Sequence, residues 1–105
     1  MKAVIDGKLY DTETAHVVAA RDWHSPHRSY ETMYQTRKGA WFLRTISDTG
    51  PPVIPSLLRG IHRTEVEKWI EWLNPLEDYE ALQWLERYSS VDIILKHCAD
   101  QVEEM

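Results

Sequence analysis

Apolar and polar positions alternate early in the chain. In AVIDGKLYD, short apolar runs flank Asp6-Gly7. Asp-Gly between such runs is the strongest short-range hairpin signal, because both turn positions favour residues that tolerate positive φ. A two-residue loop there pairs Ile5 with Lys8 and Val4 with Leu9. The next stretch, DTETAHVVAARDW, reads as a helix. Asp11 or Thr12 is placed to accept from first-turn N–H groups, Glu13 suits the positive helix end, and Ala15, Val18 and Ala19 form a short apolar stripe. HSPHRS ends it, since Pro26 turns Ser25 away from helical geometry. YETMYQTRKGAWFLRTI then predicts a second hairpin, turning at Lys38-Gly39 and rich in β-branched and aromatic residues. With a two-residue loop, Tyr34 faces Leu43 and Thr36 faces Trp41 on the core side. Met33, Phe42 and Ile46 share the other side with Glu31, Gln35, Arg37 and Arg44.

SDTGPPVIPS is a loop, its prolines and glycine incompatible with helix or inner strand, and VIPSLL suggests an edge strand. RTEVEKWIEWL predicts a helix opened by a capping box of Thr64 and Glu67, with Val66, Trp69, Ile70 and Leu73 on one face. Asn74-Pro75 ends that helix and starts another, Pro75 taking the first helical position and Leu76, Tyr79, Leu82, Leu85 and Tyr88 giving a broad buried face. From about Ser90 a final helix aligns Val91, Ile94, Leu95, Cys98 and Val102, with a strand at VDIIL as the alternative. These elements describe one α+β domain: a small antiparallel sheet of two β-hairpins with an intervening helix, packed against two or three C-terminal helices. Residues 1–63 are mainly β and residues 64–105 helical. Tyr34, Leu43, Trp69 and Leu73 are expected in the core.

Composition sets the class. One hundred and five residues, 43% hydrophobic and 28% charged, fit a single globular domain. No apolar run approaches the ~18 residues a membrane span needs, and no signal-peptide segment precedes Asp6, so a cytoplasmic location without membrane contact is expected. The single cysteine, Cys98, excludes an internal disulfide and reads as a small buried hydrophobe. The net charge of −5 is unevenly spread: nine Lys/Arg against six acids over residues 1–63, and three against eleven over residues 64–105. Such asymmetry speaks about partners.

Candidate chemistry follows from those charges. His24 and His27 share a loop, and His16, His62 and His97 lie elsewhere, but no spacing matches a zinc pattern, so neither metal nor cofactor is expected. No nucleophile elbow, phosphate-cradling glycine loop or Cys–His pair appears, and the expectation is a protein that is not an enzyme. Arg37, Lys38 and Arg44 beside Tyr34, Trp41 and Phe42 make a basic aromatic hairpin, which supports an alternative role as a small nucleic-acid-binding accessory protein. The acidic helices offer more. Glu67, Glu71, Glu77, Asp78 and Glu80, with Trp72 and Trp84 as interface anchors, define a single-sign surface suited to imitate the phosphate row of a duplex.

The segments LYDTETA, YETMYQTRKGAWFL and RTEVEKWIEWL together resemble small proteins of bacteria, phages and other mobile elements. The likeness covers roughly residues 8–73 and rests on Tyr10, Asp11, Thr12, Ala15, Tyr34, Gly39, Phe42, Leu43 and Trp69. The chain departs from that pattern at TISDTGPPVIPSLLRG, where a glycine-rich stretch usually follows. Proteins of that setting, size and acidity include anti-CRISPR proteins. The resemblance therefore implies a non-enzymatic inhibitor that binds a host nucleic-acid-handling protein, a CRISPR effector such as Cas9, in the bacterial cytoplasm. A homodimer remains compatible with this reading, and direct nucleic-acid contact belongs to the alternative.

Overall fold

The computed structural model describes residues 1–23, 28–48 and 70–103, without the side chains of Trp23 and Ile70. Among these residues are six strands, β1 (Lys2–Ile5), β2 (Lys8–Asp11), β3 (His16–Trp23), β4 (Ser29–Gln35), β5 (Trp41–Ser47) and β6 (Ile70–Leu76). Two helices follow, α1 (Asp78–Tyr88) and α2 (Val91–Cys98), and a 3-10 turn at Ala99–Gln101. The strands form two antiparallel sheets: β1 with β2, and a meander in the order β3-β4-β5-β6. The α+β architecture predicted above is thus corrected. The described residues hold more strand than helix, one predicted helix is β3, part of another is β6, and the four-stranded sheet carries two helices.

The first hairpin forms as its turn chemistry dictates. Asp6 (φ 50°) and Gly7 (φ 75°) both take positive φ, and Val4 pairs with Leu9 and Ile5 with Lys8. Asp11 then accepts from the Glu13 amide at 2.9 Å and from the Ala15 amide through its carbonyl at 3.1 Å. This is the chemistry of a helix cap used instead to turn the chain into β3. Val17 and Val18 favour a pleated surface, and a bulge between Val17 and Ala19 breaks the alternation. Val18 is buried and Ala19 packs against the same cluster, so the bulge imitates the spacing of a helical stripe.

The second hairpin is shifted by one residue from the expected register. Gly39 takes φ 89° after a turn in which its amide donates to the Thr36 carbonyl at 2.9 Å, which makes a three-residue loop of Arg37, Lys38 and Gly39. Met33 consequently pairs with Leu43, Tyr34 with Phe42 and Gln35 with Trp41. The slip exchanges faces.

The two faces of the large sheet carry separate cores. Against one, the β1–β2 hairpin brings Ala3, Ile5 and Tyr10 onto Tyr34, Phe42 and Leu73. Tyr34 stacks on Phe42 with ring centres 4.9 Å apart, and Tyr10 meets Phe42 edge-on at 5.5 Å. Against the other, Ala81, Leu85 and Cys98 from the helices pack on Val18, Met33, Trp41 and Leu43. Tyr34, Leu43 and Leu73 are core residues as predicted; Trp69 lies outside the described residues.

In β6 the residues read as helical alternate strand-wise: Leu73 is buried toward the hairpin, while Leu76 packs with the helix-side core. Pro75 sits opposite Phe42 in this strand, which lies at the edge of the sheet formed by the described residues, a position that tolerates a residue without an amide hydrogen. The helix start therefore moves from Pro75 to Asp78, with the Glu77 amide donating to Glu80 Oε1 at 3.0 Å. For α2 the predicted start holds, the Ser90 hydroxyl accepting from the Ile93 amide at 3.3 Å. Cys98 is wholly buried, and Ile93 and Ile94 pack inward, whereas Val91, Leu95 and Val102 face out. The Thr64 capping box, Val66, the VIPSLL strand, and His24, His27 and His62 lie outside the described residues.

Because Phe42 joins the two β layers, Phe42→Ala is expected to cost ~3–5 kcal/mol by opening a cavity in the hairpin-side core. Denaturant unfolding checks it; an unchanged midpoint means the hairpin layer does not depend on this ring.

Candidate functional site

The helical layer presents the most unusual surface of the described residues. Residues 77–103 contain seven carboxylates against Arg87 and Lys96. On the outward side of this layer Tyr79 is 63% exposed, Val91 69% and Leu95 50%. Their exposure follows from helix geometry: α2 points Ile93, Ile94 and Cys98 at the sheet, so residues one position round the helix from that face are left on its edge. Leu82 from α1 and Val91, Ile94, Leu95 and Val102 line a groove of about 480 Å³, bordered by Glu86 and Glu103. Apolar walls under a carboxylate rim suit a partner that is both apolar and cationic.

The other flank of α1 is fastened to the sheet. Arg21 of β3 donates through Nε to Glu31 Oε1 of β4 at 2.8 Å, and the Trp84 indole N–H donates to the same oxygen at 3.3 Å. The Arg21 guanidinium lies 3.6 Å from the centre of the Tyr88 ring, which meets Trp84 edge-on at 5.3 Å. These four side chains form one wall of an open groove of about 920 Å³. A carboxylate serving two donors next to a stacked guanidinium is a rigid arrangement that fixes the orientation of α1.

The residues singled out from the sequence are divided by this fold. Glu71 is in β6, where its carboxylate accepts from Arg44 Nε at 2.6 Å. Hydrogen bonding to Glu71 holds the Arg44 guanidinium above its ordinary pKa, against an opposing effect of burial. Trp72 is half-buried on the same strand, its side on the sheet opposite that of Glu71. Glu77 and Asp78 are exposed at the start of α1, Glu80 is half-buried and hydrogen-bonded to the Glu77 amide, and Trp84 is tied to Glu31. Glu67 lies outside the described residues. The single acidic surface over two helices is therefore corrected: the described set separates between the β5–β6 pair, the α1 start and the α1 anchor. The basic trio divides as well. Arg37 and Lys38 are exposed in the β4–β5 loop, while Arg44 is held by Glu71.

Sequence reasoning missed Val91 and Leu95 as surface residues, because an apolar stripe wider than the buried face looks like core. The Arg21–Glu31 pair is equally hidden in the sequence, since it depends on β3 pairing with β4 rather than on a local signal. Among the described residues no group of three or more His, Cys, Asp or Glu side chains is arranged to hold a metal. Burial, with a smaller effect of Asp100 and Asp78, raises the pKa of the Cys98 thiol. No helix of the described residues is long and apolar enough to cross a membrane. No family model matches the chain, and no curated protein or solved structure is significantly similar to it.

Two outcomes test the anchoring of the helices. Glu31→Ala leaves the Arg21 guanidinium and the Trp84 N–H without their shared acceptor, and a loss of ~1–3 kcal/mol is expected in chemical denaturation. A double-mutant cycle with Trp84→Phe should show coupling between the two positions; purely additive losses would contradict a shared network. His97 of α2 has its pKa lowered from 6.5, first by burial and then by Lys96 and His16. Folding therefore favours neutral His97. Its contribution is complete above the unfolded value near 6.5 and is lost as pH falls through the lower folded value. Stability to unfolding should fall as pH drops below about 6.5, and His97→Gln should make that fall smaller.

Proposed function

We propose that this chain is a non-enzymatic interaction protein whose helical layer seats a basic, apolar surface of a nucleic-acid-handling partner, an inhibitor in the manner of anti-CRISPR proteins. One observation carries the reading: Val91 and Leu95 stand exposed beside Leu82 and Ile94 in a groove edged by Glu86 and Glu103. Leaving apolar side chains in water has no folding benefit, and burying them against a partner contributes roughly 25 cal/mol per Å². Carboxylates at the rim speed encounter with a cationic surface and select for it. This reading replaces the row of acids on two adjacent helices with a groove between α1 and the α2 segment. A CRISPR effector such as Cas9 is the named candidate partner, since its nucleic-acid channel is cationic.

The test is competition between the purified protein and labelled guide or target nucleic acid for the effector. Val91→Asp with Leu95→Asp is expected to weaken inhibition by about tenfold or more while the fold survives, because both side chains are already solvent-facing. Glu86→Lys with Glu103→Lys should chiefly slow association and reduce its sensitivity to salt. Inhibition unaffected by either pair would remove the groove from the reading. An absence of binding to any effector would remove the named partner.

A further inference from the structure

A second surface differs from the helical layer in charge and in origin. The turn of the first hairpin and the loop of the second come together around a cleft of about 490 Å³. Lys8, Arg37 and Lys38 line it, all three exposed. Leu9, Tyr10 and Ala40 supply apolar walls. Elsewhere in the β layers cations sit beside carboxylates: Lys2 by Asp11, Arg21 by Glu31, Arg44 by Glu71. Among the described residues, Lys8, Arg37 and Lys38 have no such carboxylate in ion-pair range. Asp11 also borders the cleft, but its carboxylate is engaged by the Glu13 amide and faces Lys2.

We propose that this cleft binds a small organic phosphate bearing a flat ring, of the size of a nucleoside monophosphate. Three cations line the same cleft from two hairpins that are far apart in sequence, so their shared position is a product of the fold. A guanidinium fork with two ammonium groups matches the oxygens of a dianionic phosphate. Leu9 is 60% exposed, so the cleft carries an apolar side chain that a flat ring can cover. A volume of about 490 Å³ lies within the range of small-ligand sites. The site departs from the basic hairpin read from the sequence, because Lys8 joins Arg37 and Lys38 and Arg44 is withdrawn to Glu71. It is also independent of the helical groove. The phosphate source is a free nucleotide rather than the end of a strand, since a chain with net charge −5 repels an extended polyanion.

The experiment is a titration of the isotope-labelled chain followed by amide NMR. The probes are adenosine monophosphate, inorganic phosphate, adenosine, and a tetranucleotide with a terminal phosphate. Adenosine monophosphate is expected to shift the amides of residues 7–11 and 36–40 saturably. Adenosine and phosphate alone should bind at least about tenfold more weakly, because each satisfies one half of the site. Lys8→Ala with Arg37→Ala and Lys38→Ala should abolish the shifts, and Leu9→Ala should weaken the nucleotide while leaving phosphate unchanged. The wild-type titration needs no variant to fold: absence of saturable shifts at those amides overturns the proposal. Adenosine binding as tightly as its monophosphate also overturns it. Tighter binding of the tetranucleotide at the same amides overturns the choice of a free nucleotide and points to a strand end.

Discussion

Everything else in the molecule depends on β5 being buried on both faces. Trp41, Phe42 and Leu43 are consecutive and almost wholly enclosed. Successive strand residues point to opposite sides, so no single layer can cover all three. Phe42 demands cover on one face and receives the β1–β2 hairpin through Tyr10. Trp41 and Leu43 demand it on the other and receive α1 and α2. The meander is the middle of three layers for that reason. Among the described residues β6 is at the sheet edge, where Pro75 is tolerated, and it still supplies Leu73 to one core and Leu76 to the other.

The same layering distributes charge. Arg21 and Arg44 lie on opposite faces of the sheet, and each meets a carboxylate there: Glu31 toward the helices, Glu71 toward the hairpin. These pairs are largely shielded from water, so breaking one leaves a charge without its partner, whereas the intact pair mainly fixes geometry. Cations that remain on the turn loops then give the hairpin cleft its sign, and acids that remain on the helices give the outer layer the opposite sign. A modest net charge thus conceals two surfaces with different preferences.

How much of this the sequence discloses depends on whether a signal is local. Asp6-Gly7 determines its hairpin because both residues accept positive φ, and pairing follows from loop length alone. Lys38-Gly39 reveals a turn but not its length; Gly39 in the left-handed region adds one loop residue, and the register moves with it. β3 was hidden because a bulge places Val18 and Ala19 on one side, an apolar spacing shared with helices. β6 was hidden because Leu73 and its neighbours fit a helical face, and only pairing with β5, distant in sequence, decides otherwise. The candidate site inherited that error: Glu71 and Trp72 on a helix share a surface, but on a strand they point to opposite faces. The start of α2 near Ser90 and the burial of Cys98 were legible, being local and compositional.

The division between anchored and outward residues makes function separable from stability. Glu31, Glu71 and Trp84 are chemically attractive, yet each completes a contact that holds two elements together. Removing any of them alters the fold along with whatever it binds. Val91, Leu95 and Glu86 on the helical layer, and Lys8, Arg37 and Lys38 around the hairpin cleft, are exposed and support no core cluster. Substitutions there should have little effect on folding, so any change they cause in binding reports on recognition alone. The two surfaces also oppose each other electrostatically. An anion that neutralises the hairpin cleft makes the whole chain more negative, which strengthens long-range attraction of the helical layer for a cationic partner. Coupling of this kind requires no conformational change, and it fades as salt screens charges separated by more than ~8–10 Å.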